Sequence, residues 1–461
     1  MAPARALSQV VRQFLSANKD HWPRQVTDPS GKSIATATSN AVAASAQRSF
    51  SIFSAARLSL YGYGFAIVYA AALTRFYLAG VWIVDGSGAP IYGDFTDAWV
   101  AGWHALTADA SQLYDSNEFV RIQKALLGTS DVFYPNWPYP PTFFLVLAPL
   151  STLPYLAAFL TWDVVTLLGC LAVVYLIVRR PAAIALVLAS PFTAWNFLAG
   201  QNGFLTASLL GGSLFFLEKR PVVAGAMIGC LSYKPQFGIL LPVALVAARQ
   251  WRAFVSAGVA VAVLAAVSVL LFGADAWTSF PNGLVGQTNL NLRAGADSNW
   301  GYLQTVYGLI RNVHGPANAG WLVQASTTLA AVMIVWILWR SPVRYPLKAA
   351  ALSAAALIAT PYAFAYDMAA LAIPVAFLVK DQIGSGMLRG EQTIMIALFG
   401  VTAATLLVLG DSAGHITFGG VQLGPFVIVT LLAMTLRRAF YDTRQPSLPS
   451  LPEGALADEP T

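Results

Sequence analysis

LSLYGYGFAIVYAAALTRFYLAGVWI, residues 58–83, carries a single charge, Arg75, in an otherwise apolar run. Water cannot solvate such a run, whereas a bilayer can, since a helix crosses the hydrocarbon with roughly 20 apolar residues. The rest of the chain repeats the pattern. Of 461 residues, 57% are hydrophobic and 10% charged, and the mean hydropathy is +0.62. A soluble domain carries about 25% charged residues. The chain therefore reads as an all-α polytopic membrane protein. Its net charge of +6 is no nucleic-acid footprint, because the basic residues sit in short clusters between apolar runs. Cys170 and Cys230 lie inside such runs and form no disulfide or metal framework.

Those basic clusters rule the topology. They are Arg179-Arg180, Lys219-Arg220, Arg249/Arg252, Arg340/Arg344, Lys380 to Arg389 and Arg437-Arg438. If all face the cytoplasm, the spans between them come in pairs, separated by polar turns such as Phe192 to Gly203, Tyr233-Lys234-Pro235 and Tyr362 to Asp367. The count is twelve spans with both termini inside. Residues 1–57 read as a basic, largely disordered cytoplasmic tail with an interfacial helix near Leu7 to Phe14. The segment 58–438 reads as the membrane domain, and 439–461 as a disordered cytoplasmic tail. Two large outer loops follow, 84–141 and 273–320, the first carrying short helices. The piece Thr142 to Leu153 is apolar but too short to cross. A bacterial inner (plasma) membrane location is expected, with function on the outer face, where polar groups gather.

Tyr92-Gly93-Asp94-Phe95-Thr96-Asp97 directly follows the first span. Asp94 and Asp97 are three apart and share a helix face if a helix starts here. They suit either a functional site or the N-terminus of that helix. Tyr134-Pro135-Asn136-Trp137-Pro138-Tyr139-Pro140-Pro141 reads as an aromatic belt with a rigid approach to the membrane. Gly200-Gln201-Asn202-Gly203 offers amides either to ligand hydroxyls or to its own turn. Lys234 lies mid-way through an apolar stretch with no acidic neighbour in sequence. It requires a partner, either a bound phosphate or a carboxylate from another helix. Arg75 and the loop residue Arg293 raise the same anion question. Tyr362, Tyr366 and Asp367 follow the break at Pro361. No P-loop, dinucleotide fingerprint or histidine spacing for a metal is present.

In this order the motifs resemble glycosyltransferase family 87, within the GT-C superfamily. The residues that carry the resemblance are Gly93-Asp94-Phe95, Tyr139-Pro140-Pro141-Thr142, Ala148-Pro149-Leu150, Leu153-Pro154, Gly200-Gln201-Asn202, Ala224-Gly225 to Lys234-Pro235, and Thr360-Pro361-Tyr362. The resemblance implies a membrane transferase that moves a hexose, mannose in the family, from a polyprenyl-phosphate sugar to a lipid or glycan acceptor. Asp94 then takes the role of general base. It implies that Asp97, Gln201, Asn202, Tyr362, Tyr366 and Asp367 line the substrate site, and that Lys234, Arg75 or Arg293 holds the leaving phosphate. No cofactor beyond the lipid-linked donor is implied, and no carboxylate cluster for a divalent metal stands out. Family members often carry a histidine in the segment matching Tyr362 to Asp367, where this chain reads Tyr366-Asp367. The competing readings are a sugar or lipid transporter (flippase) and a polysaccharide polymerase or ligase. A transporter would show inverted repeats and midplane charges, and a polymerase an arginine-rich outer loop.

Overall fold

The computed structural model describes residues 55–128, 132, 135–289, 292, 300–408, 417–418 and 421–444. The expected interfacial helix at 7–14, Arg293, Tyr134 and the tail from 445 lie outside these residues. The chain divides into Met1–Leu58 and Ser59–Thr461, and the packing and the site below belong to the second unit.

The described residues are almost entirely helical, with one two-stranded antiparallel ribbon pairing Thr417–Phe418 with Val421–Gln422. Among the described residues six helices are long and apolar enough to cross a membrane: Ala56–Leu78, Tyr155–Val178, Trp251–Phe272, Ala317–Arg340, Ala365–Ser385 and Gly424–Thr443. The pair Pro181–Leu188 and Pro191–Ala199, bent by 59°, makes a seventh if it is one broken span. This is a helical membrane protein; among the described residues six or seven helices pass that test, against an expectation of twelve spans from the sequence.

Proline accounts for part of the difference. Pro181, Pro191, Pro221 and Pro235 stand at the first turns of their helices. There the missing N–H costs nothing and the preset φ favours a start. Each restart divides an apolar stretch into helices too short to span alone. Burial accounts for more. Tyr345–Ala359 is apolar because it is enclosed by protein, with every residue from Ala349 to Ala359 buried. Hydropathy does not distinguish that environment from lipid.

Small residues set two helices very close. A Cβ on Gly225 would stand 2.3 Å from the Ala253 carbonyl oxygen, and one on Gly229 would stand 2.4 Å from the Ala260 methyl. Helix Pro221–Cys230 thus seats backbone to backbone on Trp251–Phe272, as small-residue seams do in membranes. At the end of Ala372–Ser385 remote from Asp367, Arg438 is only 2% exposed. It donates through Nε to Asp381 (2.6 Å), through Nη1 to Glu391 (2.5 Å) and through Nη2 to the Gly386 carbonyl (2.7 Å). Three helices are pinned together there, and those bonds offset part of the cost of burying the charges.

Candidate active site

Breaks in the helices converge on one cavity of about 650 Å³, a size that encloses a small organic ligand. Its lining comes from the start of helix Asp94–Thr107, the turn 200–203, the kink 233–236, the end of helix Ala274–Thr288 and the segment 360–367. Aromatic rings form much of the wall, among them Trp82, Tyr139, Phe143, Tyr233 and Tyr366.

Neither aspartate is spent on starting its helix. Gly93 holds the N-cap position, and the Thr96 hydroxyl accepts from the Gly93 amide (3.3 Å) and donates to the Gly93 carbonyl (2.5 Å). Asp94 and Asp97 stand in the first turn, and both line the cavity. Their surroundings differ. Asp94 Oδ2 accepts from Gln201 Nε2 at 3.1 Å. Asp97 Oδ1 accepts from the Tyr92 hydroxyl at 2.9 Å, and that hydroxyl also lies 2.9 Å from Gln123 Oε1. Burial pushes the Asp97 carboxyl well above the usual carboxylate range. The Tyr92 hydroxyl opposes that rise, and the neighbouring Asp94 charge adds to it.

The Gln201 contact depends on glycine. Gly200 has φ +64°, and a Cβ there would stand 2.6 Å from the Phe159 ring and 2.7 Å from Phe95 Cβ. Both the left-handed backbone and the close approach exclude a side chain. Gly203 is wedged in the same way, its missing Cβ facing the Tyr366 carbonyl oxygen at 2.3 Å. The turn Gly200-Gln201-Asn202-Gly203 therefore bridges the helix of Asp94 and the segment of Asp367. Asn202 Nδ2 donates to the Tyr139 hydroxyl (2.8 Å), and the Tyr233 hydroxyl donates to the Asn202 carbonyl (3.2 Å).

Lys234 finds a carboxylate from another helix: Nζ lies 2.6 Å from Asp367 Oδ1, and both side chains are buried. Asp367 Oδ2 accepts from the Phe364 amide (2.9 Å), so the carboxylate is fixed from both sides. The ammonium also lies 5.0 Å from the Tyr366 ring centre, a cation–π distance. Tyr362 turns its hydroxyl to the Gln287 carbonyl (2.8 Å), and Tyr366 stacks on Phe364 with ring centres 5.4 Å apart.

The structure thus brings Asp94, Asp97, Gln201, Asn202, Lys234, Tyr362, Tyr366 and Asp367 to one cavity. Arg75 is exposed on the first span and does not line it. Lys234 is the only basic residue lining the cavity among the described residues. Among those residues no three carboxylate, histidine or cysteine side chains converge on one point. Gln287, which also lines the cavity, escapes the sequence reading because an amide in a long polar loop carries no local signal. The spacing of Gly283 and Gly286 just before it is the trace that close packing leaves there.

The model of glycosyltransferase family 87 matches residues 137–361, just under half of the chain. The match supports membership of that family and indicates a glycosyltransferase. Asp94 and Asp97 precede the matched stretch and Tyr366 and Asp367 follow it, while Gln201, Asn202, Lys234 and Gln287 fall inside. No curated protein matches the chain, and no solved structure does.

Proposed function

We propose that this membrane protein transfers a hexose, mannose by analogy with the family, from a polyprenyl-phosphate sugar to a lipid or glycan hydroxyl on the extracytoplasmic face of a bacterial plasma membrane. The observation that carries the reading is the Asp94 carboxylate, held at the cavity wall by Gln201 and not consumed by its own helix cap. In the step, Asp94 takes the proton of the acceptor hydroxyl as that oxygen attacks the anomeric carbon. The bond from that carbon to the phosphate oxygen breaks, and its electron pair leaves with the polyprenyl phosphate. Attack opposite the leaving group inverts the anomeric centre. The phosphate departs already ionised, so one carboxylate suffices where glycosidases use two.

Lys234 fits the leaving phosphate. An ammonium has three donors, and Asp367 takes one of them. Asp367 fixes the lysine in place, and the remaining donors meet charge that grows as the bond breaks. Gln201 orients the base, and the aromatic walls keep water away from the reacting centre.

The test is transfer from synthetic polyprenyl-phosphate-mannose by purified protein into a membrane lipid extract, with Asp94→Asn in parallel. Transfer by wild type and none by a folded Asp94→Asn is the expected result. Wild-type failure with every polyprenyl-phosphate sugar tried would overturn the reading and turn attention to transport of the same ligands.

A further inference from the structure

Two residues that line the cavity each carry a buried amide oxygen with no hydrogen-bond donor among the described residues. The Tyr362 hydroxyl is engaged with the Gln287 main chain, so the group on that wall with capacity to spare is the Gln287 side chain. Its Oε1 is buried, at a residue 9% exposed, and meets no donor among the described residues. Asn202 repeats the arrangement: Nδ2 is committed to Tyr139, while Oδ1, at a residue 3% exposed, meets no donor. Leaving a buried acceptor unpaired costs about 1–3 kcal/mol, and two of them line one cavity. A ligand that brings hydroxyl donors relieves both.

The position of Gln287 is built in. A Cβ on Gly283 would stand 2.3 Å from the Trp137 carbonyl oxygen, and one on Gly286 would stand 2.2 Å from Asn136 Oδ1. The last turns of helix Ala274–Thr288 therefore rest on the segment 136–137, two residues before Tyr139, the partner of Asn202. Gln287 is four residues from Gly283, on the same helix face. Aromatic rings from the same segments complete a lining of apolar faces and unspent acceptors, which suits a ring with hydroxyls around its edge.

We propose that Gln287 and Asn202 read the donor sugar, each accepting a hydrogen bond from a different ring hydroxyl. The assignment rests on the glycosyl-transfer reading. It goes to the donor sugar, whose phosphate adjoins Lys234, the basic residue of the same cavity.

Wild type, Gln287→Leu, Gln287→Glu and Asn202→Leu are compared by kcat/KM on a polyprenyl-phosphate hexose and its monodeoxy analogues. Wild type loses roughly 10- to 100-fold on the analogue lacking the hydroxyl that Gln287 reads. Gln287→Leu loses as much on the parent donor and no longer separates it from that analogue. Gln287→Glu keeps an acceptor oxygen and keeps the discrimination. Asn202→Leu loses discrimination at a different hydroxyl. If Gln287→Leu acts on the parent donor like wild type, or weakens on all donors with discrimination intact, the assignment is overturned while glycosyl transfer stands. No transfer by wild type from any donor would overturn both.

Discussion

Gln201 Nε2 donates to Asp94 Oδ2 at 3.1 Å, joining residues 107 apart in the chain. On the proposed function, this contact makes Gln201 a positioning residue for Asp94. Gln201→Leu is expected to lower kcat by roughly 10- to 100-fold, the usual scale for misplacing a general base, with KM nearly unchanged. Gln201→Glu sets a second carboxylate beside the first and moves the acid limb of the pH–rate profile upward. A rise in KM with kcat intact would instead place Gln201 on the substrate.

Asp97 gives a pH-dependent signature. Its folded pKa is raised, chiefly by burial, so the folded state holds a proton that the unfolded state gives up. Stability from this group is complete below the ordinary carboxylate pKa and declines as pH rises toward the folded value. Asp97→Asn mimics the neutral form. Its melting temperature in detergent should exceed that of wild type at pH 7, with the gap narrowing toward pH 4. A gap that widened on acidification would mean that Asp97 is ionised in the fold.

The Lys234–Asp367 pair separates structure from chemistry. Lys234→Met strands a buried carboxylate, and loss of one partner of such a pair costs about 3–5 kcal/mol. The double variant Lys234→Met/Asp367→Leu should recover much of that thermal stability while transfer stays lost. Recovery of transfer in the double variant would remove Lys234 from the phosphate site.

Asp163 lies fully buried in the span Tyr155–Val178, and neither carboxyl oxygen has a hydrogen-bond partner among the described residues. A polar group in that position is destabilising. Asp163→Leu is expected to raise the melting temperature and leave transfer unchanged. Loss of transfer at unchanged melting temperature would instead make Asp163 part of the chemistry.

What the sequence could disclose followed the range of each physical signal. Trp251–Phe272, with a hydropathy of 2.6 over its best window, is legible as a span because its apolar character is local and unbroken. Tyr345–Ala359 is as apolar in appearance yet buried in protein, and nothing within its own residues marks the difference. The need for a partner at Lys234 was readable from its apolar setting, whereas the choice of Asp367 depended on a helix 133 residues away. Arg75 looked much like Lys234 in sequence and diverged because its helix turns it outward. The capping function at Asp94 went to Gly93 and Thr96, a matter of hydroxyl geometry that residue type does not reveal. Gln287 was missed because only the packing of Gly283 and Gly286 gives it a place.

The buried ion pair also sets an order of events during biogenesis. Lys234 is synthesised 133 residues ahead of Asp367, an interval on the order of ten seconds at ribosomal speed. Through that interval the lysine has no carboxylate partner and favours a watery or interfacial position over a sealed one. Arrival of Asp367 supplies that partner and adds the segment 360–367 to the cavity wall. A nascent chain therefore cannot form this ion pair, or complete this cavity wall, before residue 367 has been made.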